Sequence, residues 1–371
     1  MTYPMNYTVI GAGNGGKAMA AHLALMGKDV TLYNRTFSHI EVIAKRKGIE
    51  LESYSGGPLG FGKLNKATSD IAEAMERAEI IMVVVPSSGH ADVAKKIAPY
   101  LKDGQIVLLN PGRTFGAIEF DTTLRREGCK VDVIVAEAET FIYASRADGP
   151  AQARIFRIKE AVPIAALPAN KTEVVLKAIE DVYPQFIEGH DVLHTGLNNM
   201  GAIFHPALTI LNAGRIEATH GDFEFYIDGV TPSVGYVLEA LDRERVTVAS
   251  AVGIRARTGL EWLELAYNVQ GKDLCEAIHN QSGYYGIKAP STLSHRYIFE
   301  DVPMSLVPIA SLGKQYGISV RAIDSIIRLA CIIHKTDYYR TGRTVEKLGI
   351  KDLSISELNN YVKEGLPYHL A

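Results

Sequence analysis

The run Tyr7-Thr8-Val9-Ile10 is apolar and β-branched, and it breaks directly into Gly11-Ala12-Gly13-Asn14-Gly15-Gly16 before an alanine-rich stretch, Lys17 to Met26. A strand that turns this abruptly into a helix tolerates few side chains, and the glycines at G-x-G-x-x-G spacing have separate tasks. Gly11 makes the tight turn, Gly13 lets the backbone approach a pyrophosphate, and Gly16 lets the helix lie close to the sheet. The helix N-terminus adds free N–H groups and a positive dipole end. The pattern predicts a dinucleotide site, with Gly11, Gly13, Asn14, Gly15 and Gly16 as its contact residues.

The chain is long enough for two domains, since 371 residues exceed one typical core. Apolar β-branched runs recur at Val30 to Tyr33, Ile80 to Val85, Ile106 to Leu109 and Val131 to Val135, with helix-like stretches between most of them. That alternation predicts an α/β domain of Rossmann type, a doubly wound parallel sheet covered on both faces. Gly56, Gly57, Pro58, Gly60 and Gly62 mark a hairpin or loop excursion, rather than a crossover helix, between Ile49 and Asn65. Thr68, Ser69 and Asp70 suit the N-cap of a helix running to Arg77, and short strands at Phe156 to Lys159 and Ala161 to Ala166 would extend the sheet. From about His194 helical periodicity takes over, in Ser233 to Arg255, Leu260 to Tyr267, Ser305 to Tyr316 and Val320 to Lys335. The expected division is a dinucleotide-binding domain over 1–187 and a mainly α-helical domain over 188–371.

Composition excludes several classes. The net charge of −3 comes without a basic cluster that could track a phosphate backbone, so nucleic acid is not an expected partner. No apolar run reaches the ~18 residues of a membrane span, and no signal peptide opens the chain; a cytoplasmic protein is expected. Cys129, Cys275 and Cys331 are too scattered for a metal site or a disulfide framework. The apolar helices of the second half suit either a core or a homodimer face.

The strand Val30 to Tyr33 ends in Asn34-Arg35-Thr36, where an NAD site usually places an acid about 20 residues after the glycines. Arg35 can pair with a 2′-phosphate and Thr36 can donate to it, so NADP is preferred over NAD. An arginine stacked on the adenine of either cofactor is the competing reading. Pro86-Ser87-Ser88-Gly89-His90 and Asn110-Pro111-Gly112 follow strand C-termini, where ligands collect in open α/β sheets; Pro86, Ser87, His90, Asn110, Pro111 and Gly112 join the candidate cofactor contacts.

In the second half, Asn198, His205, Thr209 and Asn212 share one face if Leu197 to Leu211 is a single helix. Pro206 removes a helical hydrogen bond beside His205. The segment His295-Arg296-Tyr297-Ile298-Phe299-Glu300-Asp301-Val302-Pro303 offers a partner: a carboxylate from Asp301 would fix the His205 tautomer and leave the other ring nitrogen to move a proton. Arg296 offers a planar fork for a carboxylate.

Nearly the whole chain resembles the opine dehydrogenase family, of the octopine and nopaline dehydrogenase type. Besides the loops already named, the likeness rests on Ala136-Glu137-Ala138-Glu139-Thr140-Phe141-Ile142-Tyr143-Ala144, His205-Pro206, Gly229-Val230-Thr231-Pro232-Ser233, Leu238 to Arg245, Gly286-Ile287-Lys288-Ala289-Pro290 and His295 to Pro303. The resemblance implies NAD(P)H-dependent reductive condensation of an α-keto acid with the amine of an amino acid, through an imine. Carried over by position, it makes His205 the general acid/base, Asp301 its orienting partner, and Arg296 a substrate-binding residue. The family commonly has an asparagine four residues before the histidine, for a substrate carboxylate. Gly201 stands there in this chain, which leaves Asn198 or Asn199 to supply the donor. Two alternatives compete: another two-domain dehydrogenase, of ketopantoate reductase or glycerol-3-phosphate dehydrogenase type, and a non-catalytic NADP-binding redox sensor. The first resembles sites built around a lysine, for which Lys288 is the one candidate, and the second has no need of a His205–Asp301 dyad.

Overall fold

A computed structural model of the chain describes residues 5–54 and 56–365. Its strands are β1 Asn6–Ile10, β2 Asp29–Tyr33, β3 Gly48–Ser53, β4 Gly60–Lys63, β5 Lys66–Thr68, β6 Ile80–Val83, β7 Ile106–Leu109, β8 Ile134–Ala138, β9 Tyr143–Gly149, β10 Gln152–Ile158, β11 Val162–Leu167 and β12 Phe186–Glu188. Eight of them form one sheet in the order β12-β11-β8-β7-β6-β1-β2-β5. The six from β5 to β8 are parallel, and β11 joins β8 antiparallel. The central strands β6 and β7 are buried at every position, as a sheet covered on both faces requires. Chain direction across the sheet reverses at β1 and β6, so the crevice beyond their C-terminal ends is the topological switch point.

The glycine-rich excursion is a hairpin, with β3 and β4 paired antiparallel. It belongs to a second, four-stranded sheet of order β4-β3-β10-β9. The strand expected at Phe156 to Lys159 is the end of β10 and lies in this small sheet, so it does not extend the large one. Local alternation identifies a half-buried strand but carries no information on which sheet receives it. The small sheet covers the helix Asn14–Leu25 at close range: a Cβ on Gly62 would lie 2.7 Å from the Ala21 carbonyl oxygen. Asp70 caps the helix Ile71–Met75, accepting from the Ala72 and Glu73 N–H groups.

The chain divides into two units, one containing residues up to Thr195 and those from Glu357 onward, the other Gly196–Ser356. The division thus falls eight residues later than the expected 187/188 boundary (195 against 187), and the C-terminal helix Ile355–Glu364 crosses back. Its buried Leu358, Tyr361 and Val362 explain the return. Tyr361 donates to Asp121 at 3.5 Å and Asn170 donates to Glu364 at 3.1 Å, both within the first unit.

The second unit is built of helices, the longest being Pro232–Ala251 and Arg321–His334. The run Leu197 to Leu211 is not one helix. It is interrupted at 198–200 between the helices Val192–Leu197 and Gly201–Leu211, which removes Asn198 from the predicted polar face. The interruption is held by Arg245, fully buried and paired with buried Asp242. Its guanidinium also donates to the carbonyls of Leu197 and Arg257, while Asn198 accepts from the Arg257 N–H at 2.9 Å. Among the described residues no helix is long and apolar enough to cross a membrane. An Arg245→Met substitution strands the buried Asp242 carboxylate and two carbonyls, and urea denaturation is expected to show a loss of about 3–5 kcal/mol; wild-type stability would remove the clamp.

Candidate functional site

The glycine turn has the geometry its spacing implies. Gly11 adopts φ +110°, and a Cβ there would meet the Val84 carbonyl oxygen at 2.3 Å, so the turn after β1 touches the loop after β6. A Cβ on Gly16 would fall 1.8 Å from the Gly11 carbonyl oxygen. Around Gly13 the space is open, with nothing within 4 Å of a Cβ. The helix that starts at Asn14 has neither a side-chain cap nor an acid in its first turn. An open, uncapped helix start at the switch point fits a dinucleotide pyrophosphate.

The flanking loops divide into surface and support. Arg35 and Thr36 are exposed; Arg35 lies 3.9 Å from Asp92, an acid on the helix His90–Ile97 that also binds Lys96 at 2.7 Å. The side chain of Asn34 braces the turn instead: it accepts from the Ala12 N–H at 3.2 Å and donates to the Thr36 carbonyl at 2.9 Å. Asn14 likewise accepts from the Ala147 N–H on β9 at 3.0 Å. Ser87, His90 and Asn110 are 1%, 0% and 2% exposed, so their side chains present no surface to a cofactor. His90 is wedged against Gly116, and Asn110 donates to the Leu108 carbonyl at 2.8 Å. Gly112 is buried against Glu137. These four shape the loops, whereas Pro86 is exposed and Pro111 half-buried.

The segment after β8 adds residues that local pattern did not single out. Phe141 packs on Gly15, where a Cβ would meet its ring at 2.5 Å. Beside it Lys159 donates to the Thr140 hydroxyl at 2.7 Å. Burial pushes the Lys159 ammonium down to about 8, opposed by the Glu139 carboxylate and assisted by the Arg113 charge. Lys159, Arg113 and the Glu139 carboxylate therefore act on one another beyond the C-terminal end of β8. Lys159 follows β10, 19 residues after Thr140, and no local motif links the two.

In the second unit His205 stands on the helix Gly201–Leu211 and Asp301 just before a π-helical turn, Val302–Leu306. Such turns widen a helix and recur at functional sites. The His205 Nδ1 and Asp301 Oδ2 atoms are 2.8 Å apart, with Asp301 fully buried and the His205 side chain 20% exposed. A carboxylate held there selects the Nδ1–H tautomer and turns Nε2 outward. The His205 ring is stacked on Tyr297, with centroids 4.1 Å apart and planes 19° from parallel. Burial and the Arg296 and His205 charges hold the His295 imidazole below its usual range, against Asp301.

The other predicted groups serve several different partners. Asn199 donates to Ser305 on the π turn at 3.0 Å. Arg296 is half-exposed and pairs with buried Glu300 at 2.9 Å. Thr209 and Asn212 are occupied with helix carbonyls, as the Asn198 carbonyl oxygen is with Arg257. Of the expected polar stripe, His205 is the residue that reaches a partner on the His295 to Pro303 segment.

Known proteins share both halves of this arrangement. Residues 6–112 match the NAD-dependent glycerol-3-phosphate dehydrogenase N-terminus, and residues 188–334 match the alpha-helical domain of NAD/NADP octopine/nopaline dehydrogenase. An opine dehydrogenase of Arthrobacter sp. (strain 1C) is 38% identical over 357 residues, spanning 96% of this chain and 98% of its own. The chain belongs to the opine dehydrogenase family. Octopine dehydrogenase, solved with NADH and L-arginine, has the same fold, with a TM-score of 0.81 at 18% identity over 98% of this chain and 99% of its own. Yersinopine dehydrogenase with NADP+ bound gives 0.77 at 14% identity over 98% of each chain. As a member of this family the chain is an NAD(P)-dependent enzyme acting on CH–NH bonds, by reductive condensation of a keto acid with an amine.

Lys159 gives the first unit a measurable pH signature. The unfolded lysine keeps its proton up to its ordinary 10.5 and the folded one only to about 8. Between those values the unfolded chain binds more protons, so stability rises with pH across that window. Lys159→Met is expected to flatten the rise in melting temperature; an unchanged slope would show that Lys159 is not the group responsible.

Proposed function

We propose that His205 is the general acid/base of the condensation and Asp301 its orienting partner. The observation that carries this reading is the 2.8 Å contact from a fully buried carboxylate to the Nδ1 of a partly exposed imidazole. The chemistry the dinucleotide supplies when bound is hydride transfer. Its pyrophosphate would be held by the backbone from Gly11 to Gly16, and its adenosine end would lie near Arg35 and Thr36.

Forming the protonated imine moves two protons from the substrate ammonium to the departing keto oxygen, which leaves as water. His205 Nε2 takes the first before the amine attacks and returns it to the oxygen, then relays the second from the adduct nitrogen to the resulting hydroxyl, while Asp301 stabilises the imidazolium in between. The resulting imine is the hydride acceptor. Arg296 is the stronger substrate-binding candidate because its fork is half-exposed, whereas Asn199 is buried and its amide donates to Ser305 of the π turn, so its part is to brace that turn. The substrates are an amino acid and an α-keto acid. We assign NADP as the preferred cofactor on the exposed Arg35, although Asp92 beside it moderates that preference. Three free cysteines suit a reducing, cytoplasmic setting.

His205→Ala is expected to lower kcat by on the order of 10²–10⁴ while NADPH still binds, as read by nicotinamide fluorescence. Turnover at the wild-type rate would overturn the assignment. Arg35→Asp is expected to weaken NADPH more than NADH in a titration of both, and equal losses would detach Arg35 from the 2′-phosphate.

A further inference from the structure

Asp301 by itself does not fix the His205 ring. A single hydrogen bond at Nδ1 adds one restraint to the covalent anchor at Cβ, and a concerted change of the two side-chain torsions still tilts the imidazole plane and swings Nε2 through an arc. A second restraint on the ring plane is needed if Nε2 is to hold one direction. The structure supplies it in Tyr297, whose ring lies 4.1 Å from the His205 ring and 19° from parallel. Tyr297 is itself restrained. The Phe225 ring lies 5.4 Å from it at 21°, and His295 meets it edge-on at 4.4 Å and 78°. Phe225 is fully buried, and its N–H donates to the Ile287 carbonyl at 2.7 Å.

We propose that Tyr297 is a positioning residue for this enzyme: its ring sets the plane of the His205 imidazole, Asp301 sets its rotation, and the two together aim Nε2 at the reacting atoms. The inference rests on His205 being the acid/base. Nothing in the ring contact requires the Tyr297 hydroxyl. A branched aliphatic side chain fills much of the space but offers neither a planar face to restrain the ring nor a π face.

The test compares Tyr297→Phe, Tyr297→Leu and His205→Ala in the full-length enzyme, with kcat, the KM of each substrate and the NADPH dissociation constant measured for each. Phe is expected to retain most of the wild-type kcat. Leu is expected to lose kcat by on the order of 10²-fold, the scale of a misaimed catalytic group, with NADPH binding unchanged. A Leu variant as active as wild type, beside an inactive His205→Ala, overturns the role of Tyr297 and leaves His205 standing. An active His205→Ala overturns the acid/base reading itself. A Phe variant as impaired as Leu moves the role from the ring to the hydroxyl and overturns the proposal as stated. Should the Leu variant not fold, the wild-type protein decides through the His205 Hε1 resonance, assigned by its loss in His205→Ala. Ring current from a stacked Tyr297 shifts that signal away from the position of a solvated histidine, and a signal at the solvated position overturns the stack.

Discussion

No side chain can stand at position 16, because a Cβ there would lie 1.8 Å from the Gly11 carbonyl oxygen. That contact lets the helix Asn14–Leu25 lie down directly on the turn that leaves β1, and the rest of the first unit is arranged around the consequence. The uncapped helix start is brought over the switch point of the sheet, with open space at Gly13 in front of it. The opposite side of the same helix is then free to receive the small sheet, where Gly62 makes a second close approach, to Ala21. One helix is thus held between two sheets by positions that carry no side chain.

The His205–Asp301 pair in the second unit arises from a different constraint, the burial of charge. Asp301 is fully enclosed, and a buried carboxylate is stable only with partners. The imidazole of His205 is one of them, so what stabilises Asp301 also sets the tautomer of His205. Arg245 and Asp242 repeat the principle elsewhere, where a buried ion pair holds open the break in the helical run before Gly201. The break matters because it turns Asn199 toward Ser305, on the π turn that Asp301 precedes.

Much of this was legible in the order of residues. Strands with β-branched runs on both faces announce a buried parallel sheet, and β1, β2, β6 and β7 lie where their runs stand. The glycine spacing named the turn, and Asn34-Arg35-Thr36 named an end of β2 without an acid. Less was legible wherever two segments had to meet. The Asp92 carboxylate beside Arg35 comes from another helix, and the loops after β6 and β7 look alike in composition although Ser87, His90 and Asn110 are buried supports. Periodicity ran unbroken from Leu197 to Leu211 because the residues of the break remain compatible with a helix; only Arg245, 48 residues from the Leu197 carbonyl, opens it.

The sequence by itself determined what depends on neighbours along the chain: the dinucleotide turn, the two-part architecture, the helical second half, and the identity of a histidine and an aspartate able to share a proton. Tertiary structure alone decided what depends on distance. It placed β10 in the small sheet, returned the last helix to the first unit, joined Lys159 to Thr140, and laid Tyr297 against His205. The reason is physical. Turns and helices are selected by steric rules acting over a few residues, whereas a ring stack or a buried ion pair between residues dozens apart exists only once the core has closed around both.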